Sequence, residues 1–344
     1  MASNPYHKHC NEGVARGEAA WLEWVGKPPY GAWAVGNEAP IMTMAKPLII
    51  INGVTGAYLT KLDNPNQPIS PRELADAYIE SYKQGAAVLH LHLKHPEDGT
   101  PCGHPETFKW TIDQVLQQCP DAIMNIIPFV DRSAEDHLDS MRPLMEELMA
   151  YGPQYADTGM VHASTLNYPN GKAFVAVPKT IAASAKYLSD LGVKPQYECW
   201  SIGAAQMVYK LIQDEQLDKP PYLINIDFGK EASAMHGDIP ENWDLEELMT
   251  WIRALPKSED VLNGLWAGGR NWLPLTTLAI MMGIDVVGVG MEDAMYMYPH
   301  KDDMIESNAQ IVRAVADIAR MLGREVATPQ QAREIMGLPQ KAEK

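Results

Sequence analysis

Short apolar runs alternate along the chain with stretches whose apolar residues recur every three to four positions, a pattern that predicts strand then helix many times over. Apolar runs stand at 46–54 (KPLIIINGV), 87–93, 122–129, 155–165, 195–200, 222–228, 261–267 and 285–289. Helix-like spacing fills 71–84, 107–118, 134–150, 180–191, 204–213, 244–255, 275–282 and 305–322. Strand and helix alternating in this way predict an α/β fold, a (β/α)8 TIM barrel. A doubly wound open sheet is the competing architecture, but no GxGxxG or Walker-type loop supports it.

The barrel is expected over 46–326. Residues 1–45 are rich in Gly, Pro and Trp (Trp21, Trp24, Trp33), with helical spacing near 14–25. They predict an N-terminal extension, an arm packed on the barrel or on a neighbouring subunit. In the tail, 327–344, Thr328 reads as an N-cap, Pro329 as the first helical residue and Gly337 as a stop, predicting one more short helix.

Composition narrows the classes. Hydrophobic residues at 46% and charged residues at 21% are ordinary for a globular chain and argue against disorder. A net charge of −16 argues against nucleic acid and anionic membrane as partners, and any anionic substrate must then meet local donors or a metal. Cys10, Cys102, Cys119 and Cys199 are scattered with no CxxC pair, as expected of reduced thiols in a cytoplasmic protein. No signal-peptide core and no apolar run of membrane length is seen. A soluble homo-oligomer acting on a small molecule is the expectation.

Working groups of a (β/α)8 barrel lie at the C-terminal ends of its strands. In AAVLHLHLKHPEDG, His90 and His92 are two residues apart at such an end, so both imidazoles point the same way. The last strand runs into Glu292 and Asp293, beside strand one around the barrel. His90, His92 and Glu292 supply two nitrogens and a carboxylate with open positions left over, the donor set of a catalytic zinc or a non-haem ferrous iron. Asp293 is then placed for proton transfer. The plainer readings are two hydrogen-bonded core histidines and an acidic loop pair. His95 and His104, in the loop that follows, read as solvated.

VTGA (Val54–Ala57), HLHL (His90–Leu93) with PEDG after it, STLN (Ser164–Asn167), GMED (Gly290–Asp293) and the closing SNAQIVRAVADIARMLGREVATPQQAREIMGL recur in family order. On these motifs the chain resembles the beta-keto acid cleavage enzymes from Lys46 to Leu338, while the N-terminal arm lies outside the usual pattern. The resemblance implies a zinc-dependent (β/α)8 barrel that exchanges acyl groups between a beta-keto acid and acetyl-CoA, releasing acetoacetate and a new CoA thioester. It places the metal ligands on His90, His92 and Glu292. It implies a relay from a strand-five glutamate, Glu198, through an arginine to Asp293, and substrate contacts at Thr55 and Gly56 in the VTGA turn.

Five pocket positions depart from the family pattern. The arginine position is Gly288, the glutamate after TGA is Tyr58, a serine after strand three is Ile127, and a threonine and an asparagine on strand four are Met160 and His162. Most of these changes are towards apolar and aromatic character and predict a bulkier or less polar substrate. His162 is open to three readings: an extra ligand, an oxyanion donor or a core histidine. Arg270 in GGRNW, or Lys230, is the candidate to supply the missing cation. Three functions therefore compete: metal-dependent retro-Claisen cleavage and acyl transfer; a lyase, hydrolase or iron oxygenase acting without CoA on an apolar or aromatic substrate; and a barrel that only binds.

Overall fold

The computed structural model describes residues 41–128, 137–167, 173–215, 217–229 and 244–341. Two compact units divide the chain, Met1–Met42 and Thr43–Lys344. The tryptophan-rich part of the expected arm and Lys230 lie outside the described residues. In the second unit eight parallel strands close on themselves in sequence order. They are β1 (Ile49–Gly53), β2 (Val88–Leu91), β3 (Ile123–Ile126), β4 (Thr158–His162), β5 (Lys194–Cys199), β6 (Tyr222–Phe228), β7 (Val261–Ala267) and β8 (Val286–Val289). The strand expected over 155–165 is shorter at both ends. A 3-10 turn over Pro153–Tyr155 precedes it, and after it Ser164 turns inward to accept the Trp200 backbone N–H at 2.9 Å.

The helices are α1 (Pro71–Gln84), α2 (Pro105–Gln118), α3 (His137–Tyr151), α4 (Pro178–Asp190), α5 (Ile202–Glu215), α6 (Asp244–Ala254), α7 (Trp272–Met281), α8 (Asn308–Met321) and α9 (Pro329–Ile335). Local chemistry sets several of their starts. Ser70 and Glu73 form a reciprocal capping box ahead of α1, and Ser307 caps α8 by accepting from the Gln310 N–H. The loop after β2 is a short hairpin in which Leu93–Lys94 pairs antiparallel with Pro101–Cys102; of the two histidines expected to be solvated there, His104 is exposed and His95 half-buried. Among the described residues no helix is long and apolar enough to cross a membrane.

Inside the barrel the two ends differ. Ile49, Ile51, Val88, Ile123, Leu262 and Val286 fill the N-terminal end, and Ala332, Met336 and Leu338 from the tail close it from below. Arg333 clamps that plug: its guanidinium makes a bidentate pair with Asp157, at 2.9 and 2.8 Å, with both side chains buried. Thr328 caps α9 in a capping box with Gln331. Thr328→Ala is expected to cost about 1 kcal/mol, read as a lowered urea midpoint with an unchanged slope. With one end sealed by apolar side chains, polar and aromatic groups collect at the other.

Candidate active site

Strands β2, β1 and β8 stand side by side, with Gly53 in register with His90 and Asn52 in register with Val289. β1 therefore separates the histidine strand from the acidic loop after β8, and a side chain at its last position would block the two from meeting. Gly53 leaves that gap: a Cβ there would lie 2.3 Å from Glu292 Oε2 and 2.7 Å from the Trp266 ring. Gly56 in the VTGA turn is equally constrained, because a Cβ there would sit 2.4 Å from Glu292 Cγ. The Glu292 N–H also donates to the Gly53 carbonyl at 3.1 Å.

Through this gap Glu292 reaches both imidazoles, with Oε2 3.3 Å from His90 Nε2 and Oε1 3.2 Å from His92 Nε2. Ligands around a tetrahedral ion with bonds of 2.0–2.1 Å stand roughly 3.3 Å apart, so the spacing is that of donors sharing one cation. The three are one of the groups among the described residues that could hold a metal ion. Burial opposes charge on Glu292, but His90 and then His92 outweigh it and hold the carboxyl well below the usual carboxylate range. Glu292 Oε2 is buried without a well-formed hydrogen bond, which also fits a metal ligand.

The surroundings orient these donors. His90 Nδ1 is 2.6 Å from Asn125 Oδ1, and Asn125 Nδ2 donates to Thr158 Oγ1 at 2.7 Å. With its amide so engaged, Asn125 Oδ1 accepts, Nδ1 carries the proton, and Nε2 keeps its lone pair for a cation. Asn308, at the start of α8, accepts the Met291 N–H at 2.9 Å and donates to the Val54 carbonyl at 3.0 Å, pinning the loops on both sides of Glu292. Lys94, two residues past His92, is buried with its ammonium donating to the Leu59 carbonyl, and burial pushes its pKa down to about 8.

Asp293 is held by Trp266, whose indole N–H donates to Oδ2 at 2.8 Å. The same indole packs against His90 with ring centroids 4.4 Å apart. It also fills the space beside Gly288, where a Cβ would come within 2.1 Å of the ring. The position the resemblance gives to an arginine is thus closed by tryptophan. Glu198 on β5 is buried and accepts from Gln196 Nε2 at 2.7 Å and Asn225 Nδ2 at 2.9 Å. Burial, then the neighbouring Asp227, raises its pKa well above the ordinary value. Asp227 was missed in the sequence because an acid on a strand carries no signal of the carboxylate facing it from the next strand.

The remaining expected substrate residues fall differently. Thr55 is buried, its hydroxyl accepting from Gln67 Nε2 at 2.8 Å. Tyr58 is exposed, Ile127 is buried and Met160 is half-buried. The His162 ring packs on Phe174 and lies parallel to Trp200, and it is not in the group formed by His90, His92 and Glu292. Arg270 donates to the Lys301 carbonyl at 2.9 Å and to Asp302 at 2.8 Å, and stacks over Tyr296.

Gly53→Ala tests the gap directly. It is expected to displace the Glu292 carboxylate and weaken metal retention by roughly 10–100-fold, the range for disturbing a partner that orients a ligand. Chelator competition measures it, with circular dichroism reporting an intact barrel.

A model of the beta-keto acid cleavage enzyme family matches residues 47–338. The chain is 31% identical over 298 residues to the 3-keto-5-aminohexanoate cleavage enzyme of Fusobacterium nucleatum, covering 86% of this chain and 99% of that protein. It is 26% identical over 317 residues to the 3,5-dioxohexanoate:acetyl-CoA acetone transferase of Paraburkholderia graminis, covering 86% and 97%. Among solved structures, a ternary complex of ObcA with a C4-CoA adduct and oxalate superposes with a TM-score of 0.65 at 17% identity, covering 80% of this chain and 68% of that one. That last likeness is one of fold.

Proposed function

The chain belongs to the beta-keto acid cleavage enzyme family, and from that premise we propose that it performs a retro-Claisen acyl exchange. A beta-keto acid and acetyl-CoA enter; acetoacetate and a new acyl-CoA leave. The observation that carries this reading is the convergence of His90, His92 and Glu292 at one strand-end rim, with Asp293 fixed beside them by Trp266. A divalent cation, zinc in the first place, held by His90, His92 and Glu292 would polarise the ketone and stabilise enolate charge.

Asp293 is assigned the proton transfer. It takes a proton from the carbon between ketone and carboxylate, and the resulting carbanion attacks the acetyl thioester and expels CoA thiolate. The thiolate then attacks the original ketone, the bond from that carbonyl to the acetylated carbon breaks, and Asp293 returns the proton to give acetoacetate. Tyr58, Ile127, Met160 and His162, with Trp266, are assigned to the substrate wall. Their character favours an apolar or aromatic acyl chain over an aminated one. Thr55 and Gly56 shape the turn that approaches Glu292, and Arg270 is assigned an anion contact at the edge of the pocket. The protein is proposed to work as a cytoplasmic homo-oligomer, which light scattering checks.

The test is incubation of metal-loaded protein with acetyl-CoA and a panel of beta-keto acids, following acetoacetate. Acetoacetate formed only when both substrates are present supports the proposal, and its absence across the panel refutes it. Trp266 at the place of the relay arginine favours a second reading, cleavage of an apolar or aromatic substrate without CoA. Turnover that needs ferrous iron and dioxygen, or that ignores acetyl-CoA, selects that reading.

A further inference from the structure

We propose that His95, Cys102 and His104 form a second metal site, for zinc or another divalent transition ion of similar softness, on the hairpin between β2 and α2. The pattern of the hairpin brings them together. Leu93–Lys94 pairs antiparallel with Pro101–Cys102, so His95 follows directly on the first strand and His104 stands two residues past Cys102, at the N-cap position of α2. Their ligand atoms lie within 4.8 Å of one another. An ideal zinc tetrahedron with these donors has edges of about 3.3–3.6 Å, which small side-chain rotations reach from here.

The hairpin does not need these side chains for its own closure. The His95 N–H donates to the Thr100 carbonyl at 2.8 Å, and Asp98 accepts both the Thr100 N–H, at 2.8 Å, and its hydroxyl, at 2.6 Å. His104 precedes α2 at the N-cap position, yet its side chain makes no capping hydrogen bond. Cys102 is buried and carries no disulfide. The His95 and His104 rings meet edge to face at 5.4 Å.

The donor set decides the ion. Two imidazoles and a thiol contain no oxygen, which disfavours calcium and magnesium and suits zinc, cobalt(II) or a related ion. Three protein ligands leave a fourth position for water or for Glu97, whose Oε1 is 3.6 Å from His95 Nδ1. An ion here would staple the hairpin, whose His95 lies three residues beyond His92, to the start of α2. It shares no ligand with the group formed by His90, His92 and Glu292, so it stands or falls apart from the proposed reaction.

Sulfur makes the two sites distinguishable. Metal-free protein titrated with cobalt(II) is expected to take up a second equivalent and to develop near-ultraviolet sulfur-to-cobalt charge transfer, which a site of two histidines and a glutamate cannot produce. Cys102→Ser is expected to abolish that band while the barrel-site cobalt spectrum survives. His92→Ala is expected to do the reverse. Absence of the band in the wild-type protein at saturating cobalt overturns the proposal, as does its persistence in Cys102→Ser. The wild-type spectrum decides even if a variant fails to fold.

Discussion

His92→Ala is expected to leave a folded barrel that no longer retains its strand-end cation and turns over at least roughly 10³-fold more slowly, several kcal/mol of lost charge stabilisation. His92 is at the rim rather than in the packed centre, and its Nε2 faces Glu292 Oε1 at 3.2 Å. Deleting the ring takes away one of three donors and leaves the other two still oriented, His90 by Asn125 and Glu292 by the backbone around Gly53. Elemental analysis after dialysis measures the loss of metal, and acetoacetate production measures the loss of rate. Retention of metal and rate together would show that His92 is neither a metal ligand nor needed for the reaction. A pH series on metal-free protein adds a second readout. The Glu292 carboxyl is depressed in the folded state, so its stabilisation is present above its unfolded pKa and fades as the pH falls through the folded value. Part of that depression comes from His92. The variant's acid-side loss of stability should therefore be smaller, and complete at a higher pH, than in the metal-free wild type.

The histidine pair was legible in the sequence because a strand's two-residue period needs no tertiary knowledge: His90 and His92 share a face wherever the strand lies. The barrel was legible for the same reason, since each run of strand and helix carries its own period and the closing helices carry their own caps. The supporting residues were not. Gly53 looks like any glycine at a strand end until the strands are placed and Glu292 is seen to pass over it. Asn125 and Asn308 are uncharged amides whose roles lie in partners 35 and 17 residues away, His90 and Met291. Trp266 reads as one apolar position in a buried strand, and only packing shows that it has taken the volume opposite Gly288. The second cluster was missed because His95, Cys102 and His104 meet only once the chain folds back on itself between Leu93–Lys94 and Pro101–Cys102.

That tryptophan sets the largest effect expected from a conservative change. Asp293→Asn should lower the turnover number by about 10²–10⁴-fold while leaving metal content and fold intact, the usual span for losing a general base. The amide oxygen of asparagine can still accept the Trp266 N–H at the same 2.8 Å geometry, so what is lost is the capacity to take a proton rather than the position of the side chain. Glu198→Gln is the informative partner. An arginine between Glu198 and Asp293 would couple the two carboxylates, and then both substitutions would cost similar amounts. An indole donates one N–H and accepts nothing, so it passes no proton onward. Glu198, with its pKa raised by burial and then by Asp227, binds its proton more tightly in the folded protein than in the unfolded chain. Its stabilising effect is complete below the unfolded pKa and is lost as the pH rises through the folded one. Glutamine mimics the protonated acid, so Glu198→Gln should slow turnover far less than Asp293→Asn and should flatten the alkaline fall in stability. Equal losses of rate in the two variants would mean that the relay persists by another route, and that Trp266 does not isolate Asp293 from the acids on β5 and β6.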